Sequence, residues 1–444
     1  MADFYIIVIT FLLVFLIIFS IFFLFLIKRE IIKYIIISNL YIIIPAICIL
    51  LWALHALYDT EFKSHSIDFG DFYNAGQQVF IDPLRIYDSG FVYMPNMAFF
   101  FAISIALYPF SIAYKIFLIF NYVCALLVLK EYDKVLVMMD VKQKIQRFTF
   151  LMIISNGIYV YDQFFANQTK YLLFLLLIFI LRREIQYNMQ EKIKDLKFYL
   201  INYGLFILII GMAPYFIFIF LIYIFQDIRI KELFDEVNIK KYLIVILMFC
   251  GQNFIFFLNP SQFFFFLGLF NMPHQREYIF GNLIYTKNII SERSIISSDN
   301  MVLLTYVFVF AIIIISLILI FNRKLLIQEK FGFFFLSNIF LGVYSIQHYL
   351  YLLLFAFVVL LFIPFYEKNI TGFEWVKQNK FFIIGILSIT LILNPNLHIL
   401  FSNFAVALLL GSMMISLIYL YNNKKNFYKL PESVKTNQEI KLNP

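Results

Sequence analysis

Apolar residues in this chain come in long blocks. Ile, Leu and Phe dominate 5–27 and 32–57, then 97–108 and 110–129, which Pro109 divides. Further blocks cover 148–162, 168–182, 198–225, 241–258 and 261–271. After a polar stretch at 272–299 the pattern resumes over 300–321, 330–346, 348–365, 379–394 and 400–421. Several of these blocks exceed the roughly 20 residues with which a helix crosses a hydrocarbon core. A backbone in lipid must satisfy its own hydrogen bonds, which leaves helices or closed barrels. Barrel strands alternate apolar and polar positions, and these blocks do not. The pattern therefore predicts an all-α polytopic membrane protein of about 10–13 transmembrane helices. Residues 1–421 form one transmembrane domain in this reading, and the Lys- and Asn-rich tail 422–444 is expected to be disordered. The breaks at Pro109, Gly211 and Pro214 are tolerated where backbone faces protein or water, so they predict a cavity inside the bundle.

The polar positions orient the chain. Lys28, Arg29 and Lys33 form a short basic turn, and cations cluster at 130–147, 183–197 and 422–429. Basic segments beside spans mark the cytosolic side, which puts 58–96 outside. That loop holds six acids against Lys63 and Arg85, a net charge of −4, in a chain whose net charge is +8. With 63% hydrophobic residues among 444, the excess positive charge marks membrane topology and not a nucleic-acid surface. Three cysteines give no disulfide framework. Block 5–27 lacks a basic leader and is too long for a signal-peptide core, so it is read as a retained span. The middle of the chain does not close by hydropathy. If 130–147 and 183–197 are both cytosolic, 91–129 crosses an odd number of times, yet it contains two apolar runs. Either one run is re-entrant or 130–147 lies along the outer face. The predicted location is the cell membrane, with the first loop extracytoplasmic.

Candidate chemistry concentrates in that first loop, 58–96. Asp68 and Asp71 are three residues apart and share a face if the segment is helical. Phe69, Phe72 and Tyr73 lie between and after them, so a short amphipathic helix on the membrane surface is expected. A carboxylate there can accept the proton of an attacking sugar hydroxyl. The same residues also fit a solvated loop whose acids cap helices.

The run Asp68-Phe-Gly-Asp-Phe-Tyr-Asn-Ala-Gly76, followed by Tyr87-Asp88-Ser-Gly-Phe91-Val-Tyr93-Met-Pro95, resembles the first outer loop of glycosyltransferase family 87. Those are polyprenyl-phosphate-mannose-dependent enzymes of the GT-C type. Met94-Pro95 stands where that family has Pro-Pro. The turn Asn167-Gln168-Thr-Lys170 resembles the family's Gly-Gln-x-Asn turn, with Asn167 for Gly and Lys170 for Asn. Gly211-Met-Ala213-Pro214 resembles its Lys-Pro break, with Ala213 in place of the Lys. The surroundings of His348 resemble its Ser-Pro-x-x-Trp-x-x-His stretch.

The resemblance implies a GT-C fold and an inverting transfer of a hexose, mannose, from a polyprenyl-phosphate donor to a glycolipid or lipid-linked glycan. Asp68 is the implied catalytic base and Asp71 its neighbour for acceptor binding or local charge. Gln168 and His348 are implied substrate contacts. Tyr73, Tyr87 and Tyr93 either meet sugar rings or anchor the loop. Arg276 and Arg293, in the second outer loop 272–299, are candidates for a phosphate clamp. No metal site and no cofactor is expected, because a lipid monophosphate can leave with help from cations alone. No Gly-rich nucleotide cradle is present, which favours a lipid-borne donor. Expected partners are thus donor, acceptor and membrane lipids, and no nucleic acid. A transporter or flippase of lipid-linked sugars is the alternative, and a non-catalytic membrane scaffold a third reading.

Overall fold

The computed structural model describes residues 40–63, 67–89, 91, 93–139, 141, 144–155, 158–190, 192, 194–213, 216–226, 228, 232–269, 310, 313–321 and 325–341. Among the described residues the chain is helical with no strand. The helices are α1 (Leu40–Lys63), α2 (Ile67–Ile81), α3 (Pro95–Ser104), α4 (Phe110–Met138), α5 (Lys144–Ser155), α6 (Ile158–Phe165) and α7 (Lys170–Met189). They continue as α8 (Leu196–Met212), α9 (Ile217–Phe225), α10 (Glu236–Gln252), α11 (Phe254–Leu258), α12 (Pro260–Leu269) and α13 (Ile327–Leu341). A 3-10 turn, Pro83–Ser89, follows α2. All of these fall in the unit Ile35–Val359. A second unit, Met1–Tyr34 with Leu360–Pro444, lies outside the described residues, as do the expected spans 5–27, 348–365, 379–394 and 400–421, the loop 272–299 and the tail.

The longest of these helices is α4, with 29 residues. No Gly or Pro interrupts it after Pro109, and at 1.5 Å per residue it is roughly 44 Å long. Its buried face runs Ala113, Phe117, Asn121, Cys124, Val128, Tyr132 and Val135, the spacing of three and four that one helical side requires. α7 packs along it. The opposite face, Ile112, Ile116, Ile119, Val123 and Leu127, is exposed and equally apolar. α1 shows the same pattern with exposed Ile43, Ile47, Leu50, Leu51 and Leu54. Both α1 and α4 are long and apolar enough to cross a membrane.

Ion pairs tie one end of the bundle. Asp133 of α4 meets Arg147 of α5 at 2.9 Å and accepts the Tyr41 hydroxyl of α1 at 3.2 Å. Glu131 of α4 meets Arg182 of α7 at 2.5 Å. Buried Glu184 holds Lys194 and accepts the Tyr223 hydroxyl at 2.9 Å, and Asn202 joins them through Tyr223 at 2.6 Å. The basic segments 130–147 and 183–197 therefore share one end. The start of α4, the turn before α7 and the C-termini of α8 and α10 gather with α2 and α3 at the other.

The two apolar runs around Pro109 behave differently from each other. The first gives only α3, 10 residues and roughly 15 Å, too short to traverse a bundle of this length. The chain turns back at 105–109 beside α2 before α4 begins. Among the described residues of 91–129 only α4 is long enough to run from one end of the bundle to the other. The block 198–225 is also two elements and not one broken helix. α8 stops at Met212, ahead of Pro214, which disfavours helical backbone in the residue before it. α9 then returns antiparallel, with Phe206 stacked on Phe220 at 5.1 Å and Tyr203 meeting Tyr223 at 6.2 Å.

Candidate functional site

The acidic segment of the first loop is helix α2, and its aromatic residues explain its position. Phe69, Phe72 and Ala75 recur every three residues and are fully or almost fully buried. The Phe69 ring meets Tyr114 edge-on at 5.2 Å and Phe110 at 5.3 Å, both at the start of α4. Phe72 stacks on Phe101 of α3 at 4.6 Å. At Gly76 the backbones of α2 and α3 nearly touch: a Cβ there would lie 2.8 Å from the Ala106 Cβ and 2.9 Å from the Ala102 nitrogen. Asp68 is the second residue of α2, where a negative charge is favoured by the helix dipole. Its side chain lies outside the described residues. Asp71, one turn on, is half-buried. The two aspartates are thus carried on a helix seated by the phenylalanines that follow each of them.

Two of the three candidate tyrosines hold the loop together. The Tyr73 hydroxyl donates to the Tyr108 carbonyl at 2.9 Å, and Gln77 donates to the Ala106 carbonyl, so α2 clasps the turn after α3. Tyr87 is fully buried; its hydroxyl donates to the Tyr93 carbonyl at 2.9 Å and its backbone amide to Gln262 at 3.1 Å. Its ring stacks on Phe256 at 5.6 Å, and burial pushes its phenol well above the ordinary range. Tyr93 differs. It is half-exposed, meets Phe72 edge-on at 5.2 Å, and lies under the Lys170 ammonium, 5.9 Å from the ring centre.

Lys170 opens α7 and is only 6% exposed. The turn that delivers it, 166–169, is pinned by Asn167, whose φ of 47° is the left-handed conformation that asparagine tolerates better than most residues. Its side chain accepts from Asn121 at 2.8 Å and donates to the Tyr114 carbonyl at 3.0 Å. Gln168 is buried beside it, and its amide donates to the Gln163 carbonyl at 3.1 Å. Thr169 is fully buried at the N-cap position, yet its hydroxyl makes no capping bond and has no hydrogen-bond partner among the described residues.

A third polar group sits where the link 91–94 meets the C-termini of α8 and α10. The Met94 amide donates to the Gly211 carbonyl at 3.1 Å, and Gln252 donates to Asn96 at 3.0 Å. Gly211 leaves room for this pair, since a Cβ there would stand 2.7 Å from the Asn96 side-chain oxygen and displace the amide ends. Ala213, where the resemblance expects a lysine, is buried and carries no charge.

The structure therefore brings α2 with Asp71, Tyr93, Gln168 and Lys170 to one end of the bundle, and uses Tyr73 and Tyr87 to fasten the loop. Arg276, Arg293 and His348 lie outside the described residues. Among the described residues no group of three His, Cys, Asp or Glu is placed to hold a metal. Lys170 was not singled out by sequence reasoning, although a lysine opening a Leu- and Phe-rich helix was the available signal. No family model, curated protein or solved structure matches this chain.

Proposed function

We propose that this protein is a multi-pass membrane glycosyltransferase that moves a hexose, mannose, from a polyprenyl-phosphate donor to a glycolipid or lipid-linked glycan. One juxtaposition carries the reading: an aspartate-bearing helix and a buried lysine both meet Tyr93, at one end of a bundle with exposed apolar faces. Those faces support the membrane setting. Exposed faces of α1 and α4 are largely apolar over 43–54 and 112–127, while Asn121, Gln168, Glu184 and Asn202 are buried inside. Apolar stripes of that extent mark contact with lipid or another apolar partner. The ion-paired end, with its basic segments, then faces the cytosol and the α2 end faces outward.

In the proposed reaction Asp68 accepts the proton of the acceptor hydroxyl as that oxygen bonds to the donor C1. The bond from C1 to the phosphate oxygen breaks on the opposite face, and polyprenyl phosphate leaves with the electron pair. Attack and departure on opposite faces invert the anomeric centre. Cations near the departing phosphate stabilise its charge in a site shielded from water. Arg276, Arg293 and His348 remain proposed contributors, Asp71 and Gln168 proposed substrate contacts, and Tyr93 a proposed platform for a sugar ring. The likeness of 68–95 to family 87 supports the donor class.

The test is transfer of labelled mannose from polyprenyl-phosphate mannose to endogenous lipid in membranes that contain the protein, with the anomer of the product determined. Transfer with inversion supports the reading; retention of configuration overturns the single-displacement chemistry, and no transfer overturns the donor class. One observation favours the transport alternative: Asn121 and Asn167 form a buried polar pair within the helix bundle. Movement of intact lipid-linked sugar across vesicles, without transfer, would select that alternative.

A further inference from the structure

Cations gather on aromatic rings where α7 ends and α8 begins. The Tyr187 ring of α7 and the Phe198 ring of α8 lie 4.3 Å apart. The Arg183 guanidinium lies over both, 6.0 Å from Tyr187 and 5.3 Å from Phe198. The Lys192 ammonium lies 5.9 Å from the Tyr187 ring, and exposed Lys197 precedes Phe198 on the first turn of α8. The acids of the same stretch are engaged elsewhere. Buried Glu184 holds Lys194 and accepts the Tyr223 hydroxyl. Asp195 caps α8 by accepting from the Phe198 amide at 2.8 Å. The side chain of Glu191 lies outside the described residues. Among the described residues no carboxylate pairs with Arg183, Lys192 or Lys197, and Arg183 donates only its Nε–H, to the Asn202 oxygen at 3.0 Å.

The surface beside these cations is apolar. Leu196, Leu200 and Leu208 are exposed and share one face of α8 by their helical spacing, and exposed Met189 ends α7. A water-facing basic loop has no use for that stripe, and a helix among neutral lipids has no use for unbalanced cations. Both together complement a molecule with an anionic head and apolar chains. We propose that Arg183, Lys192 and Lys197, set around the Tyr187–Phe198 ring pair, form a seat for the phosphate headgroup of an anionic phospholipid of the cytosolic leaflet, whose acyl chains lie along the exposed stripe of α8. The seat rests on the membrane orientation of the proposed function and not on sugar transfer. Each Lys or Arg near an anionic leaflet is drawn to it by charge. The Arg183 guanidinium matches phosphate oxygens in shape as well as charge. Aromatic rings are at home at headgroup level, and here they hold the cations in place by their π faces.

The experiment titrates the purified full chain in detergent with phosphatidylglycerol or with phosphatidylcholine of the same acyl chains. Binding is read by the shift in thermal unfolding and by native mass spectrometry. The intact protein should prefer phosphatidylglycerol by about 10-fold or more, and K192Q with K197Q should bring the two lipids to near parity, the scale of two cations at a charged surface. K192R with K197R should keep the preference. K130Q with K240Q removes two exposed lysines of the same end that lie over neither ring, and should change the preference by no more than about 2-fold. All four lysines are exposed, so the variants should unfold with the intact protein when only phosphatidylcholine is present. Equal losses from the two glutamine pairs would mean a diffuse positive field and overturn the seat. Equal binding of the two lipids by the intact protein, or an undiminished preference in K192Q with K197Q, would overturn it as well. Glycerol phosphate carries the charge without the chains and should give no shift; a shift equal to that of the lipid would assign the cations to a soluble phosphate instead. Each of these failures leaves the transfer of labelled mannose, measured separately, to stand or fall by itself.

Discussion

A single left-handed asparagine sets the geometry of the turn on which Gln168 and Lys170 sit. Asn167 combines a backbone conformation that disfavours most side chains with two side-chain hydrogen bonds, one accepted from Asn121 and one donated to the Tyr114 carbonyl. The two roles separate by substitution. N167A loses the bonds and is strained, while N167G loses the bonds alone. N167A should therefore be less stable than N167G by about 1 kcal/mol, and both less stable than the intact chain by about 1–3 kcal/mol, read from denaturation in detergent. Equal stability of the two would mean that the backbone at 167 relaxes. The sequence made Gln168 visible and left Lys170 in the background. A charge beside an apolar block reads as a span boundary, and only packing reveals that this one is buried beside Tyr93.

Among the elements, α2 matters most because it carries the aspartates, and its seat depends on one close crossing. Gly76 lets α2 approach α3 at Ala102 and Ala106, and the bonds from Tyr73 and Gln77 close the turn at 106–108. G76V should displace the two helices and destabilise the protein by about 1–3 kcal/mol, the range for overpacking. It should also reduce activity beyond what the lost folded fraction explains. A G76V protein with unchanged melting temperature and unchanged turnover would remove the crossing from the account. The brevity of α3 was not legible in hydropathy, because 97–108 is as apolar as a true span. What turns it back is contact with small residues of α2 and two side-chain bonds to turn carbonyls, both tertiary. Pro109 and Pro214 were legible as breaks, but a break does not say whether the chain continues or returns. The antiparallel ring contacts of α8 and α9 decide that.

On the scale of the molecule, the described residues combine a mostly apolar core with exposed apolar helix faces. Apolar faces of α1, α4 and α10 are exposed, and polar side chains lie within. Its two polar ends differ: one is laced with ion pairs among 131–147 and 182–194, the other carries α2. The account predicts opposite labelling of these ends in sealed, right-side-out vesicles once Cys48, Cys124 and Cys250 are replaced. N74C on exposed α2 should react with an impermeant maleimide, Q190C should react only after permeabilisation, and I119C should resist in both conditions and be quenched by brominated lipid. Reaction of N74C and Q190C from the same side would contradict the orientation. The all-helical class follows directly from the block pattern, since long unbroken apolar runs leave no strand alternation. Which carboxylate faces substrate is a matter of side-chain placement.

The central claim is that the helix carrying Asp68 performs sugar transfer from a lipid phosphate. The most direct measurement compares labelled-mannose transfer from polyprenyl-phosphate mannose by the intact protein, D68N and D71N at equal abundance in membranes. The account predicts that D68N lowers the rate by about 100-fold or more, the scale of a lost general base, while D71N retains measurable transfer. Equal rates for the intact protein and D68N would contradict it.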